Sequence, residues 1–279
     1  MNPYIQSLRI RTLPLSVSGI ILGTGLAGWL RWDVFALAIG TTLSLQILSN
    51  LANELGDALK GTDADQHGRA AYGLQSGTIT KQAIIRMIWF FGGLSAVLGV
   101  ALLLVAFPLF STAFWVFIGL GALAIIGAVT YTLGKHSYGY MGLGDLGVFV
   151  FFGLLSTLGA FYLQTQTLTA EAVWAGVAIG LPCVGVLNLN NIRDMANDRL
   201  HGKRTFASLL GPTGARIYHT LLLTGCLTIF VTFGHYWSLC ILPVWIWHLW
   251  YVWSHRQKLD LQMPVLMLST LIVTVLCIF

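Results

Sequence analysis

Asn190, Asp194 and Asp198 recur every four residues at the end of a long apolar run, and Lys203 and Arg204 follow just beyond. If the run continues as a helix, the three oxygen-bearing side chains share one face. Carboxylates at that spacing repel each other, so an unaided helix gains nothing from them. A bound divalent cation changes the sign of that term, because hard oxygen ligands suit Mg²⁺. Such a cation, with two basic side chains beside it, makes a pyrophosphate site. A polar loop at a membrane surface carrying incidental acids accounts for the same residues. A second stretch of the same kind weighs against that simpler account.

In that second stretch Asn53 and Asp57 sit four apart on one helical face, with Glu54 between them. The next position at this spacing is Gly61, so further acids come from beyond it, as Asp63 and Asp65 in a loop or broken turn. The loop runs on through His67, Arg69, Tyr72, Gln75, Ser76 and Gly77 to Lys81, longer than most helix connections and so expected to be functional or flexible. A third polar stretch, Tyr131 to Asp145, offers aromatic faces, hydroxyls and a cation through Tyr131, Tyr138, Tyr140 and Lys135. A tyrosine belt at the membrane interface would look the same. Asp145 sits where a helix dipole favours a negative charge. Arg9 and Arg11 precede the first apolar run, as headgroup anchors or as substrate contacts.

The elements that must position these residues are membrane helices. The chain has 279 residues, 56% hydrophobic and 9% charged, against about 25% charged for a soluble domain. Apolar runs predict nine spans, at about 12–30, 35–58, 82–106, 109–133, 144–164, 171–195, 213–234, 237–254 and 262–279. The N-terminus lacks a short signal peptide with a small-residue cleavage site, so the first helix is expected to stay. With the N-terminus inside, all of the 15 Lys and Arg residues except Arg31 fall on the cytoplasmic side. The expectation is a multi-pass protein of the cytoplasmic (inner) membrane with both acidic stretches facing the cytoplasm. The net charge of +5 then needs no nucleic-acid partner; it matches an anionic leaflet and an anionic substrate. The acidic stretches close spans two and six, which suggests an internal duplication of four-helix units plus a ninth helix, within one membrane-embedded domain over residues 1–279. Cys183, Cys226, Cys240 and Cys277 are dispersed without a CxxC pair and read as small buried hydrophobes. Spans seven to nine read as walls, with His248 a hydrogen-bonded core residue.

A lipid-tailed pyrophosphate in such a bundle suggests ionisation of its C–O bond, with Mg²⁺ and basic side chains stabilising the leaving group. The allylic cation left behind needs an electron-rich acceptor and a dry, aromatic-walled chamber. At this point the residues resemble the UbiA superfamily of intramembrane aromatic prenyltransferases. Its Asn-(Asp/Glu)-x-x-Asp motif with a further Asp is similar to Asn53-Glu54-Leu55-Gly56-Asp57 with Asp63, and its Asp-x-x-x-Asp motif preceded by Asn is similar to Asn190, Asp194 and Asp198. Arg9 to Pro14, Gln75-Ser76-Gly77 and Tyr131 to Asp145 extend the likeness, which is greatest to the branch acting on 1,4-dihydroxy-2-naphthoate in menaquinone synthesis. Glu54 stands where the family often has Asp, and the segment from Asp65 to Ala71 departs from the usual pattern.

The resemblance implies an all-α integral membrane bundle of nine helices around a central cavity. It implies Mg²⁺-dependent transfer of a polyprenyl group from polyprenyl diphosphate to the naphthoate, with loss of the carboxylate as CO₂ to give demethylmenaquinone. Asn53, Asp57, Asp63, Asn190, Asp194 and Asp198 would hold the metal and pyrophosphate, with Lys203 and Arg204 on its oxygens. Asp57, Asp194, Lys135 and Tyr131 would carry the catalysis. Lys135, Tyr131 and Tyr138 would sit near the acceptor, Asp145 would hold the chamber or the acceptor hydroxyl, and Arg9 is a further partner for the acceptor carboxylate. Other acceptors open at this point are 4-hydroxybenzoate, homogentisate and haem. A secondary transporter would want its acids near the midplane rather than at helix ends. A lipid phosphate-alcohol transferase would want one compact acidic motif rather than two.

Overall fold

The computed structural model describes residues 2–28, 31–62, 72–254 and 259–279. Every regular element among them is a helix: α1 Pro3–Ser7, α2 Leu13–Leu26, α3 Trp32–Leu59, α4 Lys81–Ala106, α5 Thr112–Thr130, α6 Gly144–Val148, α7 Ser156–Thr165, α8 Ala170–Leu200, α9 Phe206–Thr232, α10 Leu242–Ser254 and α11 Gln262–Leu276. A π-helical stretch, Phe149–Leu155, joins α6 to α7. Among the described residues 7 helices are long and apolar enough to cross a membrane, which makes this a multi-span membrane protein. The other two expected spans are shorter, 14 residues in α2 and 13 in α10, against roughly 20 for a full crossing.

The chain divides into two compact units, Met1–Leu13 with Arg31–Met141, and Pro14–Leu30 with Gly142–Phe279. In the first, α3 and α4 pack over Leu51, Leu55, Ile79 and Ile84, and mid-helix Ser95 donates to Ser44 Oγ at 3.0 Å. Thr80 and Ser111 cap α4 and α5 by accepting from the backbone three residues on. Asn50 ties the N-terminal segment to α3, donating to Leu8 O at 2.9 Å and Thr12 Oγ1 at 3.0 Å. Trp89, Phe90, Val97, Leu104, Trp115 and Leu123 point outward, an apolar exterior suited to lipid.

In the second unit α8 is the central element, packed in a core with Leu22, Leu223, Trp245 and Leu266. The π-helical stretch reaches it backbone to backbone. A Cβ built on Gly153 would lie 2.6 Å from Gly180 Cα, so only glycine lets the two main chains approach this closely. Thr205 and Ser208 form a capping box at the start of α9, which then breaks at Gly211 (φ 72°, ψ 175°) before Pro212. The aromatic α10 is two-faced. Trp245 is buried and donates to Ser269 Oγ at 2.8 Å, and His248 is buried against His219 (2.9 Å) and Gln262 (2.8 Å), whereas Trp247, Trp250 and Trp253 face outward.

Candidate functional site

Helix α3 stays regular through Leu59, which is what sets Asn53 and Asp57 one turn apart near its end. Asn53 Oδ1 accepts from Thr132 Oγ1 at 3.1 Å. Tyr140 donates its hydroxyl to Asp57 Oδ1 at 2.8 Å, and the Thr62 hydroxyl lies 2.6 Å from the same Tyr140 oxygen. Lys60 bonds to Ser137 and places its ammonium 3.7 Å from the centre of the Tyr140 ring, a cation–π contact. Asp57, Lys60, Thr62 and Tyr140 thus form one polar cluster that links the end of α3 to the turn at 138–140. The expected third acid of this motif, Asp63, lies outside the described residues, as do Asp65 and His67.

Beside that cluster Tyr131 and Tyr138 meet edge to face with centroids 5.2 Å apart. Tyr138 donates to Gly127 O at 3.0 Å, and burial pushes its pKa up to about 12, which keeps it a neutral donor. Lys135 stands exposed at the turn. Glu54, fully buried, is a tether: its Oε1 accepts from Leu74 N at 2.7 Å and Ser7 Oγ at 3.2 Å, fixing the loop after residue 72 to α3. Arg9 adopts a left-handed backbone (φ 51°) and lays its guanidinium 4.0 Å from the Tyr72 ring centre. Its buried Nε and Nη2 have no hydrogen-bond acceptor among the described residues.

In the second unit the helix does run on, as α8, past Asn190, Asp194 and Asp198 to Leu200. Arg193 takes both carboxylate oxygens of Asp194 and also bonds to Asn190 Oδ1 and Asp260 Oδ1. Asp198, buried, has the Lys203 ammonium 3.3 Å from Oδ1, while Arg204 is exposed. Asp145 lies beside Tyr218 of α9, and its buried Oδ2 has no hydrogen-bond partner among the described residues. Among the described residues no three His, Cys, Asp or Glu side chains converge. That does not disfavour Mg²⁺, which typically takes one or two carboxylates and fills its shell with water and substrate phosphate oxygens. The donors at the end of α3 and those at the end of α8, each carboxylate and amide oxygens without sulfur or imidazole, are of the hard type that ion selects.

Sequence reasoning missed Lys60, Asp260 and Tyr218. A signal existed for Lys60, which lies three residues after Asp57 and so on the same helical face. Nothing local marks Asp260 or Tyr218, whose partners are far along the chain.

The pattern of the UbiA prenyltransferase family matches residues 13–272. The chain is 45% identical over 237 residues to the 1,4-dihydroxy-2-naphthoate octaprenyltransferase of Escherichia coli K12, covering 83% of this chain and 77% of that one. Its fold is similar to a solved UbiA homologue from Aeropyrum pernix K1, with TM-score 0.72, 17% identity and coverage of 96% and 97%. It is also similar to a UbiA homologue from Archaeoglobus fulgidus solved with DMAPP and Mg²⁺, with TM-score 0.60, 15% identity and coverage of 98% and 86%.

Proposed function

The chain belongs to the UbiA prenyltransferase family, and from that premise we propose that it moves a polyprenyl group from polyprenyl diphosphate to 1,4-dihydroxy-2-naphthoate. The observation carrying this reading is the 45% identity, over 83% of the chain, to an enzyme named for that acceptor. The allylic C–O bond breaks, a ring carbon bonds to the prenyl group, and the ring carboxylate leaves as CO₂. Asn53, Asp57, Asn190, Asp194 and Asp198 are the candidate ligands for Mg²⁺ and diphosphate, and Asp63 would join them. When bound, Mg²⁺ supplies positive charge to the departing diphosphate. Tyr140 and Lys60 orient Asp57, Lys203 holds Asp198, and Arg204 is a further cation for the diphosphate. Tyr131 and Tyr138 supply aromatic faces for the acceptor ring, with Asp145 and Tyr218 as the hydroxyl-binding pair. In this reading the two compact units serve one catalytic domain.

Incubating the purified protein with Mg²⁺, a polyprenyl diphosphate and a panel of aromatic acids tests the assignment. The dihydroxynaphthoate should be prenylated with release of CO₂; preference for 4-hydroxybenzoate or homogentisate would overturn it. The basic-residue asymmetry supports a cytoplasmic site. Cysteines placed at Lys135 and Leu200 in a cysteine-free background should therefore label from the cytoplasm, and one at Thr167 from outside.

Two cations compete for the acceptor carboxylate. Lys135 is exposed, where a single ion pair is worth little. Arg9 lies over an aromatic ring with donors unmet among the described residues. Arg9→Gln should raise the naphthoate KM by about ten- to a hundred-fold, the usual worth of a charge-assisted hydrogen bond, with little change in the diphosphate KM. Lys135→Ala should shift either KM by less than about three-fold. A reversed pattern in steady-state kinetics would return the carboxylate to Lys135.

A further inference from the structure

Arg193 covers oxygens that the proposed metal site needs. Its five N–H groups are all used: Nε on Asp194 Oδ1 at 2.7 Å, Nη2 on Asp194 Oδ2 and Asn190 Oδ1, and Nη1 on Asp260 Oδ1 and Met263 Sδ at 3.5 Å. Arg193 and Asp194 are partly buried, with 15% and 12% of their side-chain surface exposed, whereas Asp260 is 33% exposed. An Asp194 carboxylate gripped on both oxygens by a planar fork has the lone pairs on that side, the ones a chelated ion would use, occupied. It cannot chelate a divalent ion through both oxygens until the fork lets go.

The charges explain why the fork is there. Asp194 and Asp198 lie one turn apart on α8 and repel each other. Arg193 offsets the first and Lys203 the second, so the helix end is balanced before any ligand arrives. Asp260 gives the guanidinium a second anchor, away from the α8 oxygens and nearer to solvent. We propose that Arg193 is a resident counter-cation for Asn190 and Asp194, anchored by Asp260, which vacates those oxygens for Mg²⁺ only when an incoming diphosphate takes up its charge. This makes Arg193 and Asp260 positioning residues that couple metal binding to diphosphate binding, and it rests on Asp194 being a metal ligand.

Mn²⁺ binding, read from loss of the free-ion EPR signal on folded protein in detergent, tests this without turnover. Mn²⁺ alone should bind wild type weakly, and pyrophosphate should strengthen it. Arg193→Gln should tighten binding of Mn²⁺ alone by about ten-fold or more and shrink the gain that pyrophosphate brings. Asp260→Asn should weaken binding of Mn²⁺ alone, because the guanidinium then has only the α8 oxygens to hold. If Arg193→Gln fails to fold, Arg193→Lys, which keeps the charge but loses the fork, should move Mn²⁺ affinity in the same direction. Unchanged or weaker Mn²⁺ binding in the folded Arg193 variant overturns the proposal. An Asp194→Asn protein that, with pyrophosphate present, binds Mn²⁺ as tightly as wild type would instead remove the underlying metal assignment, and the proposal with it.

Discussion

Asp194→Asn and Asp57→Asn are each expected to lower turnover by about a hundred- to a thousand-fold, the usual cost of deleting one group that stabilises charge developing in the transition state. Asparagine keeps the volume and one acceptor oxygen but removes the negative charge. At Asp194 the surviving oxygen still accepts from Arg193, and Asp260 remains as that arginine's ionised partner. The variant therefore escapes most of the penalty of a buried charge with no counter-ion. At Asp57 the Tyr140 hydroxyl keeps an acceptor in the amide oxygen. Both proteins should elute as wild type on size exclusion and melt within a few degrees of it. A folded Asp194→Asn enzyme with turnover within ten-fold of wild type would show the carboxylate to be structural.

Removal of divalent metal should stop the reaction outright. EDTA followed by desalting is expected to bring product formation to background, and Mg²⁺ should restore it. The α3 and α8 donors are oxygens, so Mn²⁺ should substitute in part and a thiophilic ion such as Cd²⁺ poorly. The melting temperature should change little on chelation, because Arg193 and Lys203 already offset Asp194 and Asp198. Activity that persists after thorough chelation rules the metal reading out.

Much of this was legible in the sequence because membrane helices announce themselves by length and by lack of charge. The acids of both motifs stand out against an apolar background, and their four-residue spacing holds on α8 as a regular helix should. Partners brought from far along the chain were not legible. Asp260 follows a different apolar run yet meets Arg193, and Tyr218 reaches Asp145 from α9. Lys135 is marked in the sequence by its aromatic neighbours and is exposed in the structure, whereas the contact of Lys60 with Tyr140 had no such mark. The approach of Gly153 to Gly180 was equally hidden, since a glycine's neighbour cannot be read from its own surroundings in the chain.

Helix α8 has 31 residues, which at a rise of about 1.5 Å each makes a rod of about 46 Å. The hydrocarbon layer of a bilayer is only about 30 Å thick, so roughly the first twenty residues, from Ala170, suffice to traverse it. A traverse that starts at Ala170 would end near Asn190 and leave Asp194, Asp198 and the basic residues after them at the depth of lipid headgroups. A polyprenyl diphosphate is itself a lipid, with its charge at that depth and its tail in the oil. The reactive end can be gripped while the tail keeps its solvent, so no part of the catalytic cycle has to lift the chain into water. On the proposed function, the overhang of one helix would let a water-insoluble substrate react with a water-borne acceptor at a phase boundary.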